Sequence, residues 1–135
     1  MGEGDWVHLA INNKSRSRTF KIGYIDAKYG KFYEGSASHE VQPATYVNRQ
    51  IPPKETLDIS SCGRSDSATG TEGNVTIVDA ESGTEVANIY WDCPWSGSNK
   101  FYKTRENTED YIVSLGSFET SGPLKKVTID VAYLA

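Results

Sequence analysis

Hydrophobic and polar residues alternate with period two through most of the chain, the mark of strands half-buried against a core. Near the C-terminus Val127, Ile129, Val131 and Tyr133 share one face, and Thr128, Asp130 and Ala132 the other. Tyr111, Val113 and Leu115 alternate with Asp110, Ile112 and Ser114, and Leu57 and Ile59 with Thr56, Asp58 and Ser60. Val75 and Ile77 do the same against Thr76 and Val78. At the start, Val7, Leu9 and Ile11 form one face and set Trp6 and His8 on the opposite one.

Turn-forming segments separate these runs. Residues 61–73 (SCGRSDSATGTEG) read as a loop, and 79–83, 106–109 and 120–123 as short connections. Pro52-Pro53 confines Ile51 to an edge or a strand end, because proline gives no N–H to a ladder. No window shows sustained helical periodicity, and there is no internal repeat or linker-like shift in composition. The pattern predicts about nine to eleven short strands in an all-β fold, a single-domain antiparallel β-sandwich over residues 1–135.

Composition agrees with a folded chain and narrows what it binds. At 135 residues it can bury roughly two-thirds of its unfolded surface without a metal or disulfide. Fourteen basic residues against 18 acidic ones leave a formal net charge of −4. Nucleic-acid affinity comes largely from phosphate neutralisation, so no nucleic-acid partner is expected. A polybasic grip on acidic membranes is excluded on the same ground. The longest apolar run, Val131 to Ala135, falls far short of the ~20 residues of a spanning helix. Whatever the chain binds must therefore enter a shaped site.

MGEGDWVHLA lacks the basic start and long apolar core of a conventional secretory signal. Gly2 does not complete a myristoylation motif, which wants Ser or Thr where this chain has Trp6. The expectation is synthesis in the cytosol with Cys62 and Cys93 reduced, a buried free pair being favoured over a bridge. Secretion would then follow a route without a conventional signal peptide.

Candidate chemistry is weak for catalysis and stronger for binding. His8 and His39 have no metal-ligand spacing, and no nucleophile elbow, phosphate loop or dinucleotide fingerprint appears. Asp58, Asp66, Asp79 and Asp92 offer carboxylates for glycoside hydrolysis, but in a strand-and-turn chain most Asp residues form turns or face water. No enzymatic activity, cofactor or metal is expected.

The aromatic residues (three Trp, eight Tyr and four Phe) are unevenly placed. Tyr24, Tyr29, Phe32 and Tyr33 cluster with Lys28 and Lys31, and Tyr90, Trp91, Trp95, Phe101 and Tyr102 bracket Lys100 and Lys103. Some of these rings must fill the core, a role that suits Trp91, Tyr111 and Tyr133. Trp6, Tyr29 and Trp95 suit a ligand better. Rings hold ammonium groups by cation–π attraction, and a nearby lysine pairs with phosphate as a point charge. That combination fits a zwitterionic phospholipid headgroup. A carbohydrate-binding, lectin-like module would use similar rings to stack on sugar faces, and composition does not separate the two.

The segment SSCGRSDSATGTEG at 60–73 and YWDCPW at 90–95 resemble the aegerolysins, small acidic β-sandwich proteins of fungi and bacteria. WVHLAINN near the start, the Lys28-Tyr29-Gly30-Lys31 element and the Pro-containing stretch before CGRSD fall in the same order, so the resemblance covers essentially the whole chain. It implies binding of membrane sphingolipids, such as ceramide phosphoethanolamine or sphingomyelin in cholesterol-rich membranes. It also implies action with a larger partner of the membrane attack complex/perforin type that forms the pore, in cytolytic, haemolytic or insecticidal pairs.

By the resemblance the lipid site comprises Trp6, Tyr29, Lys31, Tyr90, Trp91, Trp95 and Lys100. Tyr29 stands where many members carry Trp, and Lys100 lies in a loop that looks one residue longer than theirs. Thr69 replaces a carboxylate of some sphingomyelin-recognising members, which tilts the expectation towards ceramide phosphoethanolamine. Arg64, paired with Asp66 or Asp92, is expected to brace the loop that carries the site.

Overall fold

The computed structural model describes residues 2–134. Eleven strands follow one another: β1 (Trp6–Asn13), β2 (Phe20–Tyr29), β3 (Lys31–Tyr33), β4 (Glu40–Val41), β5 (Gln50–Ile51), β6 (Thr56–Cys62), β7 (Thr71–Asp79), β8 (Glu85–Cys93), β9 (Lys100–Thr104), β10 (Tyr111–Leu115) and β11 (Lys125–Tyr133). Gly2–Gly4 and Pro43–Thr45 form single 3₁₀ turns. The strands make a six-stranded sheet in the order β10-β11-β1-β6-β3-β4 and a five-stranded sheet in the order β5-β2-β7-β8-β9.

The alternation seen in the sequence sets the inner faces. Val7, Leu9, Ile11, Ile59, Val127, Ile129 and Val131 of one sheet meet Ile22, Val75, Ile77, Ile89 and Trp91 of the other, all buried. Full burial of each aliphatic side chain contributes about 1.5–3 kcal/mol, so this layer supplies most of the driving force. Ile51 sits at the end of the edge strand β5, as the two prolines after it require.

Two details differ from the sequence expectation. One pair is not antiparallel: β1 runs parallel to β11, with Val7 opposite Lys125 and Asn13 opposite Val131. The first and last strands meet in the middle of the larger sheet pointing the same way. Nothing local in either strand signals this, since the pairing joins segments from opposite ends of the chain.

The second difference is the segment 61–73. The ladder runs on to Cys62 and resumes at Thr71, which shortens the loop to 63–70. Ser61 and Thr71 look like loop residues because they are small and polar. They are buried nonetheless, with their hydroxyls 2.6 Å apart and so satisfied by each other.

β2 passes to β3 through Gly30, and this one residue carries the chain from the five-stranded sheet to the six-stranded one. Its φ of +91° suits glycine, and a Cβ there would stand 2.5 Å from the carbonyl oxygen of Cys62. The crossing gathers the start of β1, the ends of β2, β6 and β8, and the starts of β3, β7 and β9 at one end of the sandwich. Every residue proposed from the sequence for the lipid site or its loop lies at this end. Cys62 and Cys93 are here too, both buried and both free thiols.

Candidate functional site

At this end a cleft of about 260 Å³ opens between the tip of β2, the loop before β7 and the turn after β8. Tyr29 and Trp95 stand at it, 44% and 46% exposed. Thr69, Gly70, Glu72 and Asp92 complete much of its wall.

Local backbone rules explain why these side chains are presented. A register shift between Ala27 and Tyr29 breaks the alternation at the end of β2, beside Gly30, and Tyr29 points to water. Trp95 follows Pro94, where the β8 ladder has stopped at Cys93. Gly70 is packed so closely that a Cβ would come 1.8 Å from the Cys93 carbonyl oxygen, which fixes the loop against the turn that bears Trp95.

The cleft is acidic on one side and flanked by lysines. Burial pushes the Asp92 carboxyl above its ordinary value and the Glu72 charge adds to this, while Lys100 and Lys28 act the other way. Lys100 is the ladder partner of Asp92, and Lys28 holds its Nζ 5.5 Å from the centre of the Tyr29 ring. Aromatic rims, two carboxylates and two lysines form a surface that meets a cation and an anion side by side, as a zwitterion presents them.

Of the residues the sequence proposed for a ligand, Tyr29 and Trp95 line the cleft and Lys100 stands at its margin through Asp92. Trp6 is half-buried on the outer face of the larger sheet, opposite Cys62 in the ladder. It shares this end of the molecule with the cleft without lining it among the described residues. Tyr90 is half-buried, donates its hydroxyl to Glu72, and lies against Tyr102 with ring centres 4.8 Å apart. Burial and the Glu72 hydrogen bond raise its pKa.

Three expectations need correcting. Trp91 is completely buried on the inner face of β8, with its Nε1–H donated to Thr71 at 3.0 Å, and presents no ring to a ligand. Alternation along β8 decides this: Trp91 falls in phase with Ile89 and Cys93, and Asp92 falls out of phase. Lys31 is committed to Glu3 at 2.9 Å, because the start of β3 packs against the N-terminal 3₁₀ turn. That hydrogen bond raises its pKa against a smaller opposing effect of burial. It is a structural tie and not a free phosphate ligand.

Arg64, finally, pairs with neither Asp66 nor Asp92. It makes a two-pronged contact with Glu40, both bonds at 2.9 Å, joining the loop to β4. Asp66 stays exposed in the loop, and Asp92 belongs to the cleft wall. The loop is instead held by the Gly63 N–H donated to Asp5 at 3.0 Å and by the Ser67–Thr69 hydroxyl contact at 2.8 Å.

The sequence reading missed Glu72 and Lys28 as site residues. Carrying the alternation of β7 back past Val75 would have found Glu72, two residues before Asn74 and in phase with it on the outward face.

The aegerolysin family model matches residues 4–133. Ostreolysin A6 of Pleurotus ostreatus is 37% identical over 133 residues, 96% of each chain. Aegerolysin Aa-Pri1 of Cyclocybe aegerita is 36% identical over 129 residues, covering 93% of this chain and 88% of its own. The crystal structure of IP-1A from Alcaligenes faecalis superposes with a TM-score of 0.89 at 29% identity, over 99% of this chain and 94% of that one. The family model spans nearly the whole sandwich and two relatives exceed 35% identity over most of their length, so the chain belongs to the aegerolysin family.

Proposed function

We propose that this protein recognises a sphingolipid headgroup in the Tyr29–Trp95 cleft and recruits a larger pore-forming partner to the membrane. The observation that carries the reading is the cleft itself: two half-exposed rings beside Glu72, Asp92, Lys28 and Lys100. A headgroup ammonium is met by the rings and carboxylates, and its phosphate by the lysines. Ceramide phosphoethanolamine is the favoured ligand, since Thr69 supplies a hydroxyl where a further carboxylate would extend the cation site.

The partner is of the membrane attack complex/perforin type and inserts, while this chain stays at the surface. No helix among the described residues is long and apolar enough to cross a membrane. The protein works at the membrane of a target cell, after leaving its own cell by a route without a conventional signal peptide. The role proposed for the cleft is binding: its rings, carboxylates and lysines hold the headgroup.

Sedimentation with vesicles of phosphatidylcholine and cholesterol, with and without ceramide phosphoethanolamine or sphingomyelin, tests the reading. Binding is expected to require the sphingolipid and to fall at least ~tenfold in Tyr29→Ala and Trp95→Ala, about 1.4 kcal/mol. Dye release is expected only after a perforin-type partner is added. Equal binding to all vesicles, or full binding by the double variant, would overturn it.

A further inference from the structure

The outer face of the five-stranded sheet carries a second recess, of about 360 Å³, that shares no lining residue with the cleft. Gly23 and Tyr24 of β2, Asn74 and Thr76 of β7, Glu85 of β8 and Arg105 after β9 line it. Asn is disfavoured in strands, yet Asn74 and Asn88 occupy the two strands β7 and β8, both interior to the sheet.

These side chains are built into one network. Asn88 Oδ1 accepts from Asn74 Nδ2 at 2.9 Å and from Thr76 Oγ1 at 3.1 Å, and Asn88 Nδ2 donates to Thr104 at 3.2 Å. Arg105 Nη2 donates to Thr76 at 3.3 Å and its Nε lies 3.0 Å from Glu85. Arg105 takes a left-handed backbone, φ +51°, which is uncommon for a residue with a long side chain. Core packing demands none of this, since Val75, Ile77 and Ile89 already fill the inner face of the same strands.

We infer that this recess is a glycan site that takes a neutral pyranose ring. Glu85 compensates the Arg105 charge, so the recess carries donors and acceptors with little net charge, which disfavours phosphate or carboxylate ligands. Hydrogen bonding by Asn74 to Asn88 leaves its own Oδ1 acceptor for a ligand hydroxyl. Tyr24, 51% exposed, offers an aromatic face at the rim, and the Val78 side chain fills the space beside Gly23, 2.5 Å from where a Cβ would stand, which gives the floor an aliphatic surface for the C–H face of a sugar. The volume falls within the range of about 300–1,000 Å³ usual for small-ligand sites.

Asn74 stands two residues along β7 from Glu72, a rise of about 7 Å. The recess is thus a separate station on the face that bears the cleft, and it stands whether or not the cleft binds lipid. The same pyranose chemistry is found at the head of a glycolipid and in a free oligosaccharide.

Titration of ¹⁵N-labelled protein with glucose, galactose, mannose and N-acetylglucosamine, one at a time, tests the site. At least one sugar is expected to shift the Gly23, Tyr24, Asn74 and Arg105 resonances saturably. Tyr24→Ser and Glu85→Gln, both at exposed positions, are expected to weaken that binding about tenfold. No shift with any of the four, or shifts unchanged in both variants, would overturn the inference.

Phosphatidylcholine vesicles carrying galactosylceramide, compared with free lactose, then assign the source. Sedimentation by Trp95→Ala protein that Tyr24→Ser abolishes places a glycolipid head in the recess. Resonance shifts with lactose and no sedimentation place a free glycan there. Sedimentation lost in Trp95→Ala but kept in Tyr24→Ser, with no lactose shifts, overturns the site.

Discussion

The indole of Trp91 donates its N–H to Oγ1 of Thr71 at 3.0 Å, and the bond begins a chain that crosses from one sheet to the other. Thr71 and Ser61 share a hydrogen bond at 2.6 Å, and Ser61 donates to the carbonyl of Lys31 at 2.8 Å. Because Ser61 spends its proton on that carbonyl, Thr71 is the donor between the two hydroxyls. The four residues belong to β8, β7, β6 and β3, so the chain bolts the sheets together directly behind the cleft.

Thr71→Val would leave the buried Trp91 N–H without an acceptor and take away the donor to Ser61 Oγ, which keeps only its own bond to the Lys31 carbonyl. An orphaned buried donor costs about 1–3 kcal/mol, so the urea midpoint is expected to fall by that equivalent while Thr71→Ser stays near the parent. Trp91→Ala should cost more, about 3–5 kcal/mol, from the cavity it opens. Equal stability of Thr71→Val and Thr71→Ser would show that the bolt carries no weight.

Asp79, fully buried at the opposite end of β7, accepts from Arg18 at 2.7 Å and from the Tyr111 hydroxyl at 2.5 Å. Burial alone would raise its pKa. The hydrogen bonds from Tyr111, from the Glu81 and Ser82 backbone N–H groups and from Arg18 outweigh it, and the net shift is downward. A carboxyl with a depressed folded pKa contributes stability above its unfolded value near 3.9, and that contribution is lost as pH falls towards the folded value. The pH dependence of stability below about pH 4 is expected to be shallower in Asp79→Asn, which should also be less stable at neutral pH because Arg18 and the Tyr111 hydroxyl lose their charged acceptor. Denaturation curves at neutral and acidic pH check both.

For Asp92 the sign is opposite, since burial and Glu72 raise its pKa. Its charge is therefore lost earlier on acidification than that of an ordinary aspartate. Capture of a headgroup ammonium should weaken as pH falls through that raised value, and Asp92→Asn should flatten the profile. Vesicle sedimentation across a pH series reads this directly. A profile identical in parent and Asp92→Asn would remove Asp92 from the cation site.

The Cys93 thiol is pushed up to about 11, chiefly by burial, and the Cys62 thiol is raised for the same reason. Thiolates are the reactive form, so neither thiol should react with a disulfide reagent at pH 8 in the native protein, and both should react in urea. An intact mass lighter by two hydrogens would instead reveal a bridge.

Strand after strand could be read from the chain because a half-buried strand writes its two faces into alternate residues. β1, β6, β10 and β11 needed nothing more. The same rule, carried one strand further, places Trp91 inward and Asp92 outward, but the family motif WDCPW groups both with the ligand and hides the phase. The partners of Lys31 and Arg64 were illegible for a different reason. Glu3 lies 28 residues away from Lys31, and Glu40 lies 24 from Arg64. Only the packing of β3 and β4 beside β6 brings those charges together.

The sequence by itself determined the all-strand class, the core faces and the set of rings and charges from which a site could be made. Tertiary structure decided which of them meet: the parallel β1–β11 pair, the crossing at Gly30, and the cleft where Tyr29 joins Trp95 and Glu72 joins Asp92. Alternation is a local property fixed by backbone geometry, whereas a cleft exists only after two sheets have closed on each other and buried the residues that do not belong to it.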